Sequence, residues 1–209
     1  MAIPFALRKA RLKFLCWLKR RTFKKEFYDK EYFELEAKGW EIWPRDSKLL
    51  LNKAVNFFEG KTVLDAGCGN AKTMEIIKKK GFSVEGFEVS QHAVDYCKNL
   101  GFNVWREDAE KMDYDSKWDT VFLSHVLEHV LDDYGLLKRA LKACKKCVVL
   151  VIPEHSFKPD HLHYYSSGDI IKMIEKLKKK GLASGHEFEH VKDVHLPSFV
   201  VRISKAGKS

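Results

Sequence analysis

What most restricts this chain is an alternation that begins at Lys61. Short apolar runs at Thr62–Asp65, Ser83–Phe87, Asn103–Trp105, Thr120–Leu123 and Val148–Ile152 are separated by stretches with helical periodicity. Strands that alternate with helices predict a parallel sheet covered on both faces. The punctuation agrees. Lys80-Gly81-Phe82, Leu100-Gly101-Phe102 and Lys180-Gly181-Leu182 each follow a helical stretch with a glycine and then an apolar residue, the usual way to close a helix. Ser90 is the expected N-cap of a helix through Lys98, and Ser166 or Ser167 of one through Lys180. Two further strand-like segments, Glu187–Asp193 and Phe199–Ser204, are joined by Leu196-Pro197-Ser198. They predict an antiparallel hairpin at one edge. The expected fold is α/β and Rossmann-like: a seven-stranded, mostly parallel sheet with an antiparallel C-terminal edge hairpin and helices on both faces.

The segment before Lys61 has a different character. Nine of the 38 Lys/Arg residues and none of the 29 Asp/Glu lie in the first 25 positions, so the net charge of +9 belongs to that segment and the remainder is balanced. A sequence pI of 9.2 is therefore no argument for nucleic-acid binding by the main domain. Within residues 3–24, Ile3, Leu7, Ala10, Phe14 and Leu18 recur at helical steps among the cations. Such a helix can pack on the domain as a lid, lie on an anionic membrane, or bind a phosphate backbone. Two more helical stretches are expected, Tyr28–Lys38 and Asp46–Glu59, with Trp40 and Trp43 between them. Residues 1–58 thus read as a basic helix and helical cap, and 59–209 as the main domain.

No apolar run reaches the ~20 residues of a membrane span, and no secretory signal is recognisable. The five cysteines, Cys16, Cys68, Cys97, Cys144 and Cys147, read as reduced thiols. The expectation is a cytoplasmic protein, with membrane-peripheral contact as one role of the basic helix. Cys144-Lys145-Lys146-Cys147 has the C-x-x-C spacing but stands alone, so it reads as two small residues entering a buried strand rather than as half a zinc site.

Function turns on the first strand. Thr62–Asp65 runs into Ala66-Gly67-Cys68-Gly69-Asn70-Ala71 and then a helix. Glycines there let the backbone turn sharply and approach a ligand, at the strand ends where open α/β sheets bind cofactors. A dinucleotide site requires a third glycine where this chain has Lys72, and the charge of Asp65 would meet a pyrophosphate poorly. It suits a cationic ligand.

The stretch VLDAGCGNAK resembles the first motif of class I S-adenosylmethionine (SAM)-dependent methyltransferases, with Ala71 in place of the last, variable glycine. The resemblance continues in register through Gly86–Ser90, Glu107-Asp108-Ala109, Trp118–His129 and Val148–Pro153, and covers about residues 58–204. It implies SAM as cofactor, held by Asp65, Ala66, Gly67, Gly69, Glu88, Val89, Asp108, Ala109 and Ser124. Glu88 would hold the ribose hydroxyls, an acidic residue after strand three the adenine amino group. Glu88 lies 23 positions after Asp65, near the ~20 expected for a ribose-binding carboxylate.

The resemblance also places His125 near the methyl group and the substrate, as the first candidate base, with His129 one helical turn on. Backbone capping or pocket shaping is the alternative role for His125. His161, His163, Tyr164 and Tyr165, together with His155, lie in a loop that walls the substrate pocket in similar proteins. His125–His129 also spells H-x-x-E-H, an inverted zinc-protease signature, but no third ligand is evident in the sequence. O-methyltransferases of ubiquinone biosynthesis show E-x-x-E-H at the similar place, where a metal can bind. Here the first Glu is His125, and no metal is expected. Leu123-Ser124-His125-Val126 replaces the Asn/Asp-Pro-Pro-aromatic motif of enzymes that methylate base amines, which leaves oxygen acceptors favoured. The expected function is O-methylation of a small-molecule or glycan hydroxyl. The alternatives are RNA or protein methylation with the basic helix recruiting the polymer, and a non-catalytic binding protein.

Overall fold

The protein is described by a computed structural model covering residues 5–22, 44–156, 158 and 160–207. The stretch Tyr28–Lys38 and the tryptophans Trp40 and Trp43 lie outside the described residues. Seven strands form one sheet: β1 (Thr62–Ala66), β2 (Ser83–Glu88), β3 (Val104–Arg106), β4 (Trp118–Ser124), β5 (Cys144–Pro153), β6 (Ala183–Val191) and β7 (Ser198–Lys205). Their order is β3-β2-β1-β4-β5-β7-β6. The first five run parallel; β7 is antiparallel to both β5 and β6. The hairpin expected at the edge therefore inserts its second strand inside the sheet and leaves its first outermost.

Among the described residues, six α-helices accompany the sheet: α1 (Phe5–Thr22), α2 (Pro44–Val55), α3 (Lys72–Lys79), α4 (Gln91–Asn99), α5 (Asp133–Ala143) and α6 (Ser167–Lys179). Strand periodicity decides which face each side chain joins. Leu64, Val121, Leu123, Val148, Leu150 and Ile152 pack with Leu136, Leu137 and Ala140 of α5 and Ile170 and Ile174 of α6. Val63, Phe122, Val149 and Val151 pack on the opposite face with Leu50, Leu51 and Ala54 of α2. The central strands are buried on both sides, which is why they read as continuous apolar runs. Cys144 joins the first cluster and Cys147 the second. Three residues apart on a strand, the two thiols point to opposite faces and cannot share a metal.

The predicted caps form. Ser90 Oγ accepts from Ala93 N at 3.4 Å at the start of α4. At the start of α6, Asp169 Oδ2 accepts from Ser166 N at 3.0 Å, the return arm of a capping box, and also from Ser166 Oγ at 2.6 Å. Helix α2 stops at Val55, short of the expected Glu59. The chain tightens there, with Phe57 N and Phe58 N donating to Ala54 O and Val55 O. That turn sets the Phe58 ring edge-on to Phe122, 5.1 Å between centroids. Gly60 (φ +79°) then lets the chain pass Asp119: a Cβ at Gly60 would lie 2.3 Å from Asp119 Cγ. The Asp119 carboxylate accepts from Lys61 N (2.8 Å) and Thr62 N (3.0 Å), pinning the start of β1 to β4.

Candidate active site

The strand ends of β1, β2 and β4 meet around the turn Gly67–Ala71. Gly67 (φ +84°) and Gly69 (φ +51°) are both left-handed, a conformation that costs a side-chain-bearing residue about 1–2 kcal/mol. A Cβ on Gly67 would stand 2.7 Å from Val126 Cγ2. The turn thus presses against the β4 exit, and only glycine permits it. Gly67 N and Cys68 N donate to Phe87 O (2.9 and 3.1 Å), tying the turn to β2. Ala71, in the place of the last glycine, also sits at positive φ (62°).

Asp65 and Glu88 lie at neighbouring strand ends, as the resemblance implies, but their surroundings differ. Asp65 is fully buried. Its Oδ2 accepts from Thr73 Oγ1, and its Oδ1 has no hydrogen-bond partner. Burial pushes its carboxyl up to about 7, with the charge of Glu88 adding to the shift and the Thr73 hydroxyl opposing it. Buried beneath the turn and bonded to Thr73, Asp65 underpins it. Glu88 Oε1 accepts from Val89 N (2.6 Å) and Oε2 from Gly69 N (3.1 Å). Burial raises its pKa and these backbone donors lower it. A carboxylate on a strand tip, preset by backbone N–H groups, suits vicinal hydroxyls.

Glu107 N donates to Glu88 O at 3.0 Å, which brings the β3 exit alongside. The Glu107 side chain is turned away, accepting from Trp105 Nε1 and Tyr114 Oη, each at 2.6 Å. Asp108 starts the 3₁₀ turn Ala109–Lys111, its Oδ1 accepting from Glu110 N at 3.0 Å. Ala66 is buried in the core, Ser124 ends β4 half-buried, and Val89 O accepts from Arg106 Nε at 3.1 Å.

His125 follows β4 at φ +55°, with its N–H on Val151 O at 2.9 Å. A non-glycine residue holds this conformation only where its surroundings fix it. Its Nδ1 lies 3.2 Å from Glu128 Oε1, and its side chain is 35% exposed against 13% for His129. Glu128 is buried. Burial works to raise its carboxyl, but the His125 hydrogen bond and the His129 charge outweigh burial and hold it at about 2. The Glu128 carboxylate thus fixes one imidazole nitrogen, and the other has no hydrogen-bond partner among the described residues. The sequence reading missed Glu128; the signal was its i+3 spacing from His125, which one helical turn converts to contact.

His161, His163, Tyr164 and Tyr165 are all buried, and they divide between two places. His161 joins Glu128 and His129. One ligand atom from each of these three lies within 4.8 Å of the others, and Glu128 Oε2 has no hydrogen-bond partner. His161 Nδ1 is 3.3 Å from Ser156 O, and His129 Nδ1 is 3.3 Å from Asp160 Oδ2. Burial lowers the His161 pKa to about 4, so the ring is a neutral imidazole. The third group absent from the H-x-x-E-H stretch thus arrives from the segment after β5. These residues fit a divalent cation, which Glu128, His129 and His161 would hold through oxygen and nitrogen and which would supply Lewis acidity beside His125.

His163 Nε2 is 2.8 Å from Val130 O and Nδ1 is 3.1 Å from Arg20 Nη1. Burial lowers its pKa, with the Asp133 charge opposing and the Arg20 charge adding to the shift. Tyr165 Oη donates to Leu127 O (3.1 Å) and Asp133 Oδ2 (2.9 Å). Tyr164 stacks on His155, 5.0 Å between centroids. His163, Tyr164 and Tyr165 line one cavity of about 300 Å³, and α1 closes part of it with Cys16 and Arg20. Helix α1 is docked further by Lys19 Nζ, which donates to Lys158 O at 2.7 Å. Among the three roles open to the basic helix, packing on the domain is the one these contacts provide.

Fold and crevice together define the SAM-dependent methyltransferase class. Residues 40–190 match the family described as "Methyltransferase domain", and the chain belongs to that family. A ubiquinone biosynthesis O-methyltransferase of Coxiella burnetii (strain RSA 493 / Nine Mile phase I) is 31% identical over 102 residues, 46% of this chain and 41% of the relative. One from Hydrogenovibrio crunogenus is 23% identical over 134 residues, 59% of this chain and 56% of the relative. The chain thus spans about half the length of the curated relatives it matches. Among solved structures, a SAM-dependent methyltransferase from Archaeoglobus fulgidus superposes with TM-score 0.66 at 19% identity, over 81% of this chain and 99% of that one. The plantazolicin methyltransferase in complex with SAH superposes with TM-score 0.73 at 13% identity, over 95% and 99%. These likenesses bear on the fold. The residues present fit SAM: a left-handed glycine turn that a Cβ would obstruct, with Glu88 on the adjacent strand tip.

Proposed function

We propose that this protein transfers a methyl group from SAM to a hydroxyl of a small molecule or sugar, with His125 as the base. One observation carries the reading. At the β4 exit, the partly exposed His125 ring has one nitrogen on the buried Glu128 carboxylate and its other nitrogen without a hydrogen-bond partner among the described residues. The cofactor supplies an activated methyl group. Glu88 and the Gly67–Gly69 turn bind and orient it, and Asp65 holds the turn in shape through Thr73. His125 takes the acceptor's hydroxyl proton at Nε2 as the oxygen–carbon bond forms and the carbon–sulfur bond breaks. Glu128 stabilises the resulting imidazolium. Curated relatives named for O-methylation support an oxygen acceptor. Calorimetry tests the cofactor half: S-adenosylhomocysteine binds at micromolar Kd, and Glu88→Ala weakens it at least ~tenfold, or ~1.4 kcal/mol. Unchanged affinity in that variant overturns the placement.

A second reading concerns where the acceptor is met. On α1, Phe14, Trp17 and Leu18 are 56%, 39% and 41% exposed, within the segment that holds the chain's excess positive charge. Aromatic and aliphatic side chains among cations suit the interface of an anionic bilayer. No described helix is long and apolar enough to cross one. Flotation with phosphatidylglycerol vesicles, lost in a Phe14→Ala/Trp17→Ala variant and absent with zwitterionic vesicles, is the expected result. Salt-sensitive binding of RNA through residues 1–25 would favour the polymer alternative instead.

A further inference from the structure

The cavity between α1, α6 and the segment after β5 has ionisable groups of both signs in its lining. Arg20 from α1 and Lys172 from α6 both line it, beside Leu162, Tyr164, Tyr165 and Met173. Among the described residues, the hydrogen-bond partner of the Arg20 guanidinium is His163 Nδ1, 3.1 Å from Nη1. Among the described residues, no carboxylate lies within ion-pair distance of Arg20 or Lys172. Two acids also line the cavity, and both are engaged by the protein. Asp133 Oδ2 accepts from Tyr165 Oη at 2.9 Å and lies 3.2 Å from His163 Nδ1. Asp169 serves the cap of α6. With both acids engaged by other groups of the protein and both cations without an ion-pair partner among the described residues, the groups left to meet a ligand are cationic, and a dianion would face the two acids. The tyrosines, Leu162 and Met173 form a largely apolar wall for the rest of such a molecule.

We propose that this cavity binds a carboxylate of the methyl acceptor, gripped by Arg20 and Lys172. The inference rests on the reading that the acceptor is a small molecule. Guanidinium and ammonium donors to a carboxylate make the stronger class of hydrogen bond. The cavity adjoins the proposed base through the 3₁₀ turn Leu127–His129: Tyr165 Oη donates to Leu127 O, and His163 Nε2 is 2.8 Å from Val130 O. A molecule anchored at Arg20 and Lys172 therefore lies alongside the segment that begins with His125. Its acidic group would be a specificity determinant, and α1 would be part of the acceptor site.

The test is calorimetry at saturating S-adenosylhomocysteine with a panel of aryl and alkyl monocarboxylates, each paired with its carboxamide. In the wild type, at least one carboxylate binds ~tenfold or more tighter than its amide. Lys172→Met, at an exposed position, reduces that preference by about threefold or more, and Arg20→Met/Lys172→Met abolishes it, with S-adenosylhomocysteine affinity unchanged in both variants. If the double variant does not fold, Lys172→Met alone decides. A panel without any carboxylate preference, or a preference that survives the substitutions, overturns the proposal and leaves the methyltransferase reading standing. Wild-type protein that fails to bind S-adenosylhomocysteine overturns that reading itself.

Discussion

Glu128 and Asp65 are both buried carboxyls near the crevice, yet their environments drive them in opposite directions. Glu128 faces imidazoles and is held at about 2; Asp65 faces Glu88 and a single hydroxyl and is pushed to about 7. Their effects on stability against pH have opposite signs. For Asp65 the folded value lies above its ordinary 3.8. Its contribution favours folding fully below about 4 and is lost as pH rises through 7. For Glu128 the folded value lies below its ordinary 4.5. Its contribution is present above that value and is lost as pH falls through 2. Urea denaturation across pH 4–7 will therefore show the wild type losing stability relative to Asp65→Asn, while Glu128→Gln loses stability against the wild type at neutral pH and converges with it in acid. At the same scale, His125→Asn keeps a residue that tolerates positive φ but removes the base. Its kcat should fall by about 10²–10⁴, with S-adenosylhomocysteine affinity unchanged. Full turnover in that variant would return His125 to a shaping role. Adjacency of Asp65 and Glu88 was legible from motif spacing. The depth at which each lies was not, because burial is decided by the turn that folds over Asp65 and by Thr73 eight residues on.

Between β1 and α3, five residues connect two elements and press on a third. Gly67→Ala would add a methyl group where Val126 already stands and force a left-handed residue to carry it. The expected outcome is a loss of about 1–3 kcal/mol in thermal unfolding together with weakened cofactor binding, since the turn could recover only by moving away from the β4 exit. Elements of this kind are readable because glycine and periodicity are local signals. The strands over residues 62–124 lay where their apolar runs placed them, within a residue or two. Helix α2 and the cavity were less legible. The end of α2 is set by where Phe58 meets Phe122, and the cavity by where α1 docks, both contacts between residues far apart in sequence. His161 shows the same limit: its partners Glu128 and His129 are more than thirty positions away, so a spacing rule confined to H-x-x-E-H does not find it.

On the scale of the molecule, the described side chains of α1 contribute to the cavity and to none of the clusters on the sheet faces, where α2 to α6 supply the helical side chains. Deleting residues 1–22 should accordingly leave cooperative unfolding and S-adenosylhomocysteine affinity near wild type while acceptor binding is lost, measured on the same preparation by calorimetry. Coincident loss of both would make α1 structural. The strand order has a further consequence, for synthesis. Strand β6 is made before β7 yet reaches the sheet only through it. While the ribosome is still delivering residues 198–205, the long apolar margin of β5 has no neighbour, and an open hydrophobic strand margin recruits other chains. Nascent copies halted before Ser198 should therefore associate with one another or with chaperones, whereas copies that have released Lys205 should not.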